Sequence, residues 1–177
     1  QKTDFGAFLD STLDRYSDFV VYAGIAIYYV AQPTANVTFV LLCMLAFFWS
    51  FMISYARARA EDLSVSCKVG FWQRPERLTV LLFASFGYNI PALLIQQGIL
   101  PMITAIRRID YTRRVLNGKT IHEDPRKGPW WVVIQVWRWP RGTWGYDLTA
   151  VIGLGWVTFV HFPETDPLRD LLATLAG

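Results

Sequence analysis

Cysteine and histidine are scarce in this chain, with two of each among 177 residues. Two cysteines cannot build a disulfide framework, and Cys43 in an apolar run has no reason to pair with Cys67 in a polar loop. Both are expected to stay reduced and structural. His122 and His161 are isolated and lack a partner at ligand spacing, which argues against a histidine-based metal site and leaves them as surface or interface residues. Charge is missing over long stretches: no Asp, Glu, Lys or Arg lies between Asp18 and Arg57, nor between Arg77 and Arg107. A soluble domain seldom sustains two such gaps, and the 53% apolar content exceeds what such a domain usually carries. The bilayer is therefore the solvent to consider first. The sequence has no internal repeat, and Gly153-Leu154-Gly155 lacks the preceding strand that a nucleotide loop needs. It opens at Gln1 rather than Met, without the basic-then-apolar pattern of a signal peptide, so an upstream segment is expected in the intact protein.

What is present divides into apolar spans and polar joints. Residues 10–31 read as one helix with a charged first turn, ended by the turn signal Gln32-Pro33-Thr34-Ala35-Asn36. Residues 37–56 supply an uncharged run long enough to cross a bilayer, so the two helices form a membrane hairpin. The polar, mostly basic residues 57–77 then belong on the cytoplasmic side with the Asp-bearing start of the first helix. A single span over the uncharged residues 78–106 would place Arg107, Arg108, Arg113 and Arg114 on the opposite side. A break at Asn89-Ile90-Pro91 makes two helices instead and returns that cluster to the cytoplasm. Residues 117–129 read as a polar linker. Beyond it, Trp130, Trp131, Trp137, Trp139, Trp144 and Trp156 interleave with Arg138 and Arg141, as expected at the headgroup level. These residues could also stack on bases, but the neighbouring spans favour lipid and no nucleic-acid partner is expected. The apolar residues 148–162 fit a further span, a re-entrant segment or a buried helix of a separate module.

Two constellations carry chemistry. Gly6, Asp10, Asp14 and Asp18 recur every four residues and so share one helical face. Stacked carboxylates repel, by a few tenths of a kcal/mol per pair in an isolated helix (roughly 0.2–0.5). A hard divalent cation, Mg2+ or Mn2+, would offset that repulsion and hold a pyrophosphate. The alternative is that acidic residues here simply complement the helix macrodipole. Gly6 has no side chain and lets a ligand approach the backbone one turn before Asp10. The second constellation is cationic: Ser54, Arg57 and Glu61 lie on one face where a helix leaves the bilayer, Arg74 opens the next helix beside Pro75, and Arg107-Arg108 ends another. The arginine fork suits a phosphate. Arginines at membrane boundaries also snorkel to headgroups, and that reading is preferred for Arg113, Arg114, Arg126, Arg138 and Arg141.

Gly6-Ala-Phe-Leu-Asp10-Ser-Thr-Leu-Asp14 resembles the second half of the CDP-alcohol phosphotransferase signature, D-G-x2-A-R-x8-G-x3-D-x3-D, and Asp14-Arg15-Tyr16-Ser17-Asp18 also looks like the family. The first half of the signature, with two metal-binding aspartates, is absent from this sequence. By this resemblance Asp10 is a metal ligand, Asp14 a general base that also lies near a metal, and Gly6 part of the nucleotide site. Ser54-Tyr55-Ala56-Arg57-Ala58-Arg59-Ala60-Glu61 followed by Arg74-Pro75-Glu76-Arg77 is similar to the branch that makes phosphatidylinositol phosphate or archaetidylinositol phosphate. That resemblance makes Ser54, Arg57, Arg74 and Arg108 the ligands of the acceptor phosphate. Arg107 stands where the family usually has Gln, so either Arg107 or Arg108 could serve.

The resemblance covers residues 6–114. It implies an all-α, polytopic membrane helix bundle, with four core transmembrane helices present of about six. Residues 1–116 would form the membrane domain, residues 117–129 the linker and residues 130–177 a Trp-rich extension. Its implied reaction is Mg2+- or Mn2+-dependent transfer from CDP-diacylglycerol, or an ether-lipid equivalent, to inositol phosphate with release of CMP, in a homodimer whose site faces the cytoplasm. Without the upstream aspartates the chain is expected to hold metal poorly and to be inactive alone. The rival readings are the same chemistry on glycerol phosphate or another polyol phosphate, and a non-catalytic membrane scaffold or transport subunit whose buried aspartates serve ion passage.

Overall fold

The computed structural model describes residues 3–67, 69–118, 139 and 142–176. Among the described residues every regular element is a helix, in agreement with an all-α chain. The expected linker from residue 119 onward, with Trp130, Trp131, Trp137, Arg126, Arg138 and Arg141, lies outside them.

Helix α1 runs Asp4–Val30, six residues earlier than the apolar pattern suggests. Thr3 accounts for the difference: its Oγ1 accepts from the Gly6 amide at 3.1 Å, and Asp4 adds negative charge to the first turn. Helix α2 spans Val37–Asp62 and starts at Asn36, whose side chain accepts from the Phe39 amide at 3.1 Å. It passes beyond the apolar run into the basic segment, where Arg57 pairs with Glu61 one turn on and Arg59 with Asp62. Helix α3, Arg74–Phe86, has Pro75 in its first turn. The break expected near Asn89 is present: α3 stops at Gly87, Tyr88 takes a left-handed φ of 52°, and α4 follows over Ile90–Leu116. Helix α5, Trp144–Phe159, contains most of the expected apolar segment, and α6 is Pro167–Ala176.

Helix α4 is central, packed between α2 on one side and α3 with α5 on the other. Small residues let the helices come close, as membrane bundles require. A Cβ on Gly98 would lie 3.2 Å from Leu42, and one on Gly153 would lie 3.1 Å from the Trp72 ring. Phe71, Trp72, Val80, Ala84, Leu93 and Val157 form one core cluster. Tyr29, Phe39, Cys43 and Leu94 form another. Both cysteines are free and buried, as expected.

Polar atoms pin these contacts. Trp72 donates its indole N–H to Gln97 Oε1 at 3.0 Å, and Gln96 donates to the Gly153 carbonyl at 3.0 Å. Asn89 donates to the carbonyls of Val157 and Val160 at 2.7 and 2.8 Å, tying the α3–α4 turn to the end of α5. Gly70, at φ 110°, lets its loop lie against Thr104; a Cβ there would come within 2.4 Å of the Thr104 methyl.

By length and apolarity, α2 and α4 are long enough to cross a membrane. They differ in surroundings. Only 28% of the apolar window of α2 is buried in the structure, so most of a strongly apolar helix faces outward, whereas 56% of the α4 window is enclosed by its neighbours.

Candidate active site at the cationic end of the bundle

The four-residue stripe on α1 does not experience one environment. Asp10 is exposed on the first turns, Asp14 is half-buried, and Asp18 is buried. Helix α1 packs on α2, and burial along the stripe selects the partners: Asp14 meets Arg74, and Asp18 meets Ser50 and Arg77. Asp18 Oδ2 accepts from Ser50 Oγ at 2.6 Å and from Arg77 Nη2 at 3.1 Å, and Arg77 also donates to Ser50 Oγ at 2.8 Å. Three helices are joined by this closed triangle, with no member left unpaired in the low-dielectric interior.

One turn nearer the end of the bundle, Arg74 Nη1 lies 2.5 Å from Asp14 Oδ1, and its Nη2 donates to Ser17 Oγ at 2.9 Å. Arg74 Nε lies 3.6 Å from Asp18 Oδ1, so one guanidinium spans two members of the stripe. Arg15 completes the cluster, with Nη2 3.9 Å from Asp14 Oδ2. Its Nε and Nη1 are buried and make no hydrogen bond among the described residues. Arg15, Arg74 and Arg77 therefore face two carboxylates, Asp14 and Asp18, leaving a surplus positive charge and unused donors. Such an arrangement attracts an anion.

The remaining predicted residues fall into two groups. Ser54 is half-buried one turn beyond Ser50 and donates to the Ser50 carbonyl at 3.4 Å; Arg57 bonds Glu61 at 2.8 Å. Arg108 is buried and donates to the carbonyls of Ile53 at 2.5 Å and Val69 at 3.0 Å. Its guanidinium thereby joins α4 to α2 next to Ser54. Gly6 is exposed, and a Cβ there would lie 3.0 Å from Thr3 Oγ1, so the helix cap itself favours glycine at this position.

Sequence reasoning singled out Arg74 but passed over Arg77 and Ser50. The available signal was that Arg77 is the last charge before 29 uncharged residues and Ser50 lies one turn from Ser54.

Asp10 and Asp14 offer hard oxygen donors one turn apart, of the kind Mg2+ and Mn2+ take. They suit part of a shell: among the described residues no group of three or more His, Cys, Asp or Glu side chains is placed to hold an ion. Further oxygens would come from phosphate, water or other residues.

Residues 1–109 match the family model described as CDP-alcohol phosphatidyltransferase. The chain is 40% identical over 115 residues to the archaetidylinositol phosphate synthase of Methanothermobacter thermautotrophicus, covering 62% of this chain and 55% of that protein. It is 39% identical over 118 residues to an uncharacterized protein of Aquifex aeolicus, covering 67% of this chain and 59% of that one. It thus spans a little over half the length of these relatives. A phosphatidylinositol phosphate synthase of Cutibacterium acnes is 40% identical over 82 residues, 46% of this chain and 39% of that protein. Among solved structures, the chain is similar to the Mycobacterium tuberculosis phosphatidylinositol phosphate synthase in complex with manganese and citrate. The TM-score is 0.56 at 30% identity, over 63% of this chain and 57% of that one.

Proposed function

The chain belongs to the CDP-alcohol phosphatidyltransferase family, and from that premise we propose that it carries the acceptor side and general base of an enzyme that transfers a phosphatidyl group from a CDP-lipid to inositol phosphate. The observation that carries this reading is the 2.5 Å approach of Arg74 to Asp14. A phosphate held by Arg74 places the rest of its molecule beside a carboxylate.

An alcohol hydroxyl is a weak nucleophile, so a base must take its proton as it attacks. Asp14 is that base. The hydroxyl oxygen bonds to the lipid-linked phosphorus, the proton passes to the Asp14 carboxylate, and the P–O bond to CMP breaks with the electron pair leaving on CMP. Arg74, with Ser54, Arg57 and Arg108, holds the acceptor phosphate, and the unused Arg15 donors add to the anion-attracting field. Gly6 borders the nucleotide. Asp10 and Asp14 would hold Mg2+ or Mn2+, which when bound offsets charge on the pyrophosphate.

In this reading α1 to α4 are the four core membrane helices, the 13-residue α3 being shorter than a full crossing, the site faces the cytoplasm, and the protein works in the cell membrane as a homodimer. Inositol phosphate is favoured over glycerol phosphate because relatives about 40% identical to the chain bear inositol-phosphate synthase names. The test is CMP release by the full-length protein with Mn2+ against a panel of phosphorylated alcohols. Turnover is expected with inositol phosphate; turnover with glycerol phosphate and none with inositol phosphate would overturn the assignment.

A further inference from the structure

The end of the bundle away from the arginines has a different chemistry. Asp166 accepts from the Val37 amide at 2.6 Å, the Thr38 amide at 3.0 Å and the Thr38 hydroxyl at 2.5 Å, and Asn36 donates to the carbonyls of Glu164 and Thr165. The Leu168 amide in turn donates to Thr38 Oγ1 at 3.1 Å. These bonds fix the start of α6 at the first residue of α2, which is the first residue of an apolar helix long enough to span a bilayer.

Helix α6 is ten residues long, too short to cross. Its leucines recur at 168, 171, 172 and 175, the spacing of one helical face, with Arg169 and Asp170 away from them. Leu171, Leu172 and Leu175 are 53%, 55% and 76% exposed. Other bulky groups sit at the same level. Phe159 is exposed at the end of α5, and Phe86 and Tyr88 are exposed at the α3–α4 turn that Asn89 ties to that end. Tyr88 adopts its left-handed φ of 52° while pointing almost wholly outward, a costly placement for an aromatic residue that gains nothing within the fold.

We infer that α6 is an amphipathic interfacial anchor whose leucine face lies in the bilayer surface at the end of the spans opposite the arginine cluster, with Phe86, Tyr88 and Phe159 forming an aromatic collar at the same depth. The occupant is lipid because the face continues an outward apolar helix. On α2, Val37, Leu41 and Met44 are exposed at helical spacing directly below the point where α6 is fastened. Charge specifies the lipid class. Glu164, Asp166 and Asp170 outnumber Arg169 in this segment, so insertion is driven by apolar burial and does not call for anionic headgroups.

The inference rests on α2 crossing a membrane and is independent of which acceptor the site takes. The test uses the full-length protein in phosphatidylcholine vesicles with a single environment-sensitive label at Leu172→Cys, Leu175→Cys, Ala173→Cys or Met44→Cys; Cys43 and Cys67 are buried, and the unsubstituted protein gives the background. Labels at 172 and 175 are expected to be quenched several-fold more by headgroup-level nitroxide lipid than the label at 173, which aqueous iodide should quench instead. Adding phosphatidylglycerol should leave this pattern unchanged. Iodide quenching at 172 and 175 equal to that at 173 would overturn the anchor, as would shielding from both quenchers, which would mean that a protein surface covers the face. The Met44 label separates the two levels of failure: without quenching by deep-chain nitroxide there, the spanning role of α2 itself is wrong.

Discussion

The two ends of this bundle manage polar groups in opposite ways. At the arginine end, Arg15, Arg74 and Arg77 crowd Asp14 and Asp18, and donors on Arg15 remain without partners among the described residues. At the far end, Asp166 and Asn36 satisfy the opening amides of α2, and Asn89 satisfies the closing carbonyls of α5. One end holds excess charge and unused hydrogen-bonding capacity, which suits a ligand. The other closes most of its hydrogen bonds internally, the buried Tyr29 hydroxyl excepted, which suits a structural clasp. Burial along α1 makes the same distinction within a single helix: Asp18 is enclosed in a triangle with Ser50 and Arg77, while Asp10 is open to whatever binds.

Substitutions at each end should separate activity from stability. The largest effect on rate is expected at Asp14: Asp14→Asn preserves shape but removes the base, so kcat for CMP release should fall on the order of 10²- to 10⁴-fold, while the thermal midpoint in detergent changes little. A large loss of stability in that variant would merge the two ends into one structural role.

The largest effect on folding is expected at Arg77. Arg77→Ala leaves the buried Asp18 charge with only the Ser50 hydroxyl and the 3.6 Å approach of Arg74, a loss of up to about 3–5 kcal/mol by thermal or denaturant unfolding. Asp18→Asn in the Arg77→Ala background should recover part of it, because the buried charge is then gone.

Arg57→Ala should be intermediate. Its partner Glu61 is exposed, so stability should hold within about 0.5 kcal/mol. The KM for the phosphorylated acceptor should rise with binding of the CDP-lipid spared. An unchanged KM would remove Arg57 from the proposed pocket.

The smallest effect belongs to the clasp. Desolvation pushes the Asp166 carboxyl up, but the Thr38 hydroxyl and the Val37, Arg169 and Thr38 amides together outweigh it and hold the group below the usual carboxylate range. A depressed folded pKa means the ionised form stabilises the fold. The contribution is full above the unfolded value of about 3.9 and fades as pH falls through the folded one. Asp166→Asn should therefore lower stability at neutral pH, and its difference from the parent protein should shrink as pH drops below about 4. CMP release should be unaffected.

The same contrast explains what could be read from the sequence. Gaps in charge and the Asn89-Ile90-Pro91 signal located α2, the α3–α4 break and the all-helical class, because hydrocarbon compatibility and proline geometry act locally. The extra turns at the start of α1 depend on one cap, Thr3, which lies outside the apolar pattern. The stripe Asp10, Asp14 and Asp18 was visible as spacing, but its gradient of burial was not, since that depends on where α2 and α3 cross α1. Arg74 and Arg77 stand three residues apart on α3, and only the packing decides that one reaches Asp14 while the other is enclosed with Asp18 and Ser50. The placement of α5 against α3 and α4 likewise rests on long-range partners, Gln96 with Gly153 and Asn89 with Val157, that no local signal pairs.

The most direct measurement compares CMP formation from CDP-diacylglycerol, inositol phosphate and Mn2+ by the full-length protein and its Asp14→Asn variant, with folding of both confirmed by their thermal midpoints. The account predicts normal folding with turnover reduced at least about 100-fold in the variant. Equal CMP formation by the two proteins would contradict it.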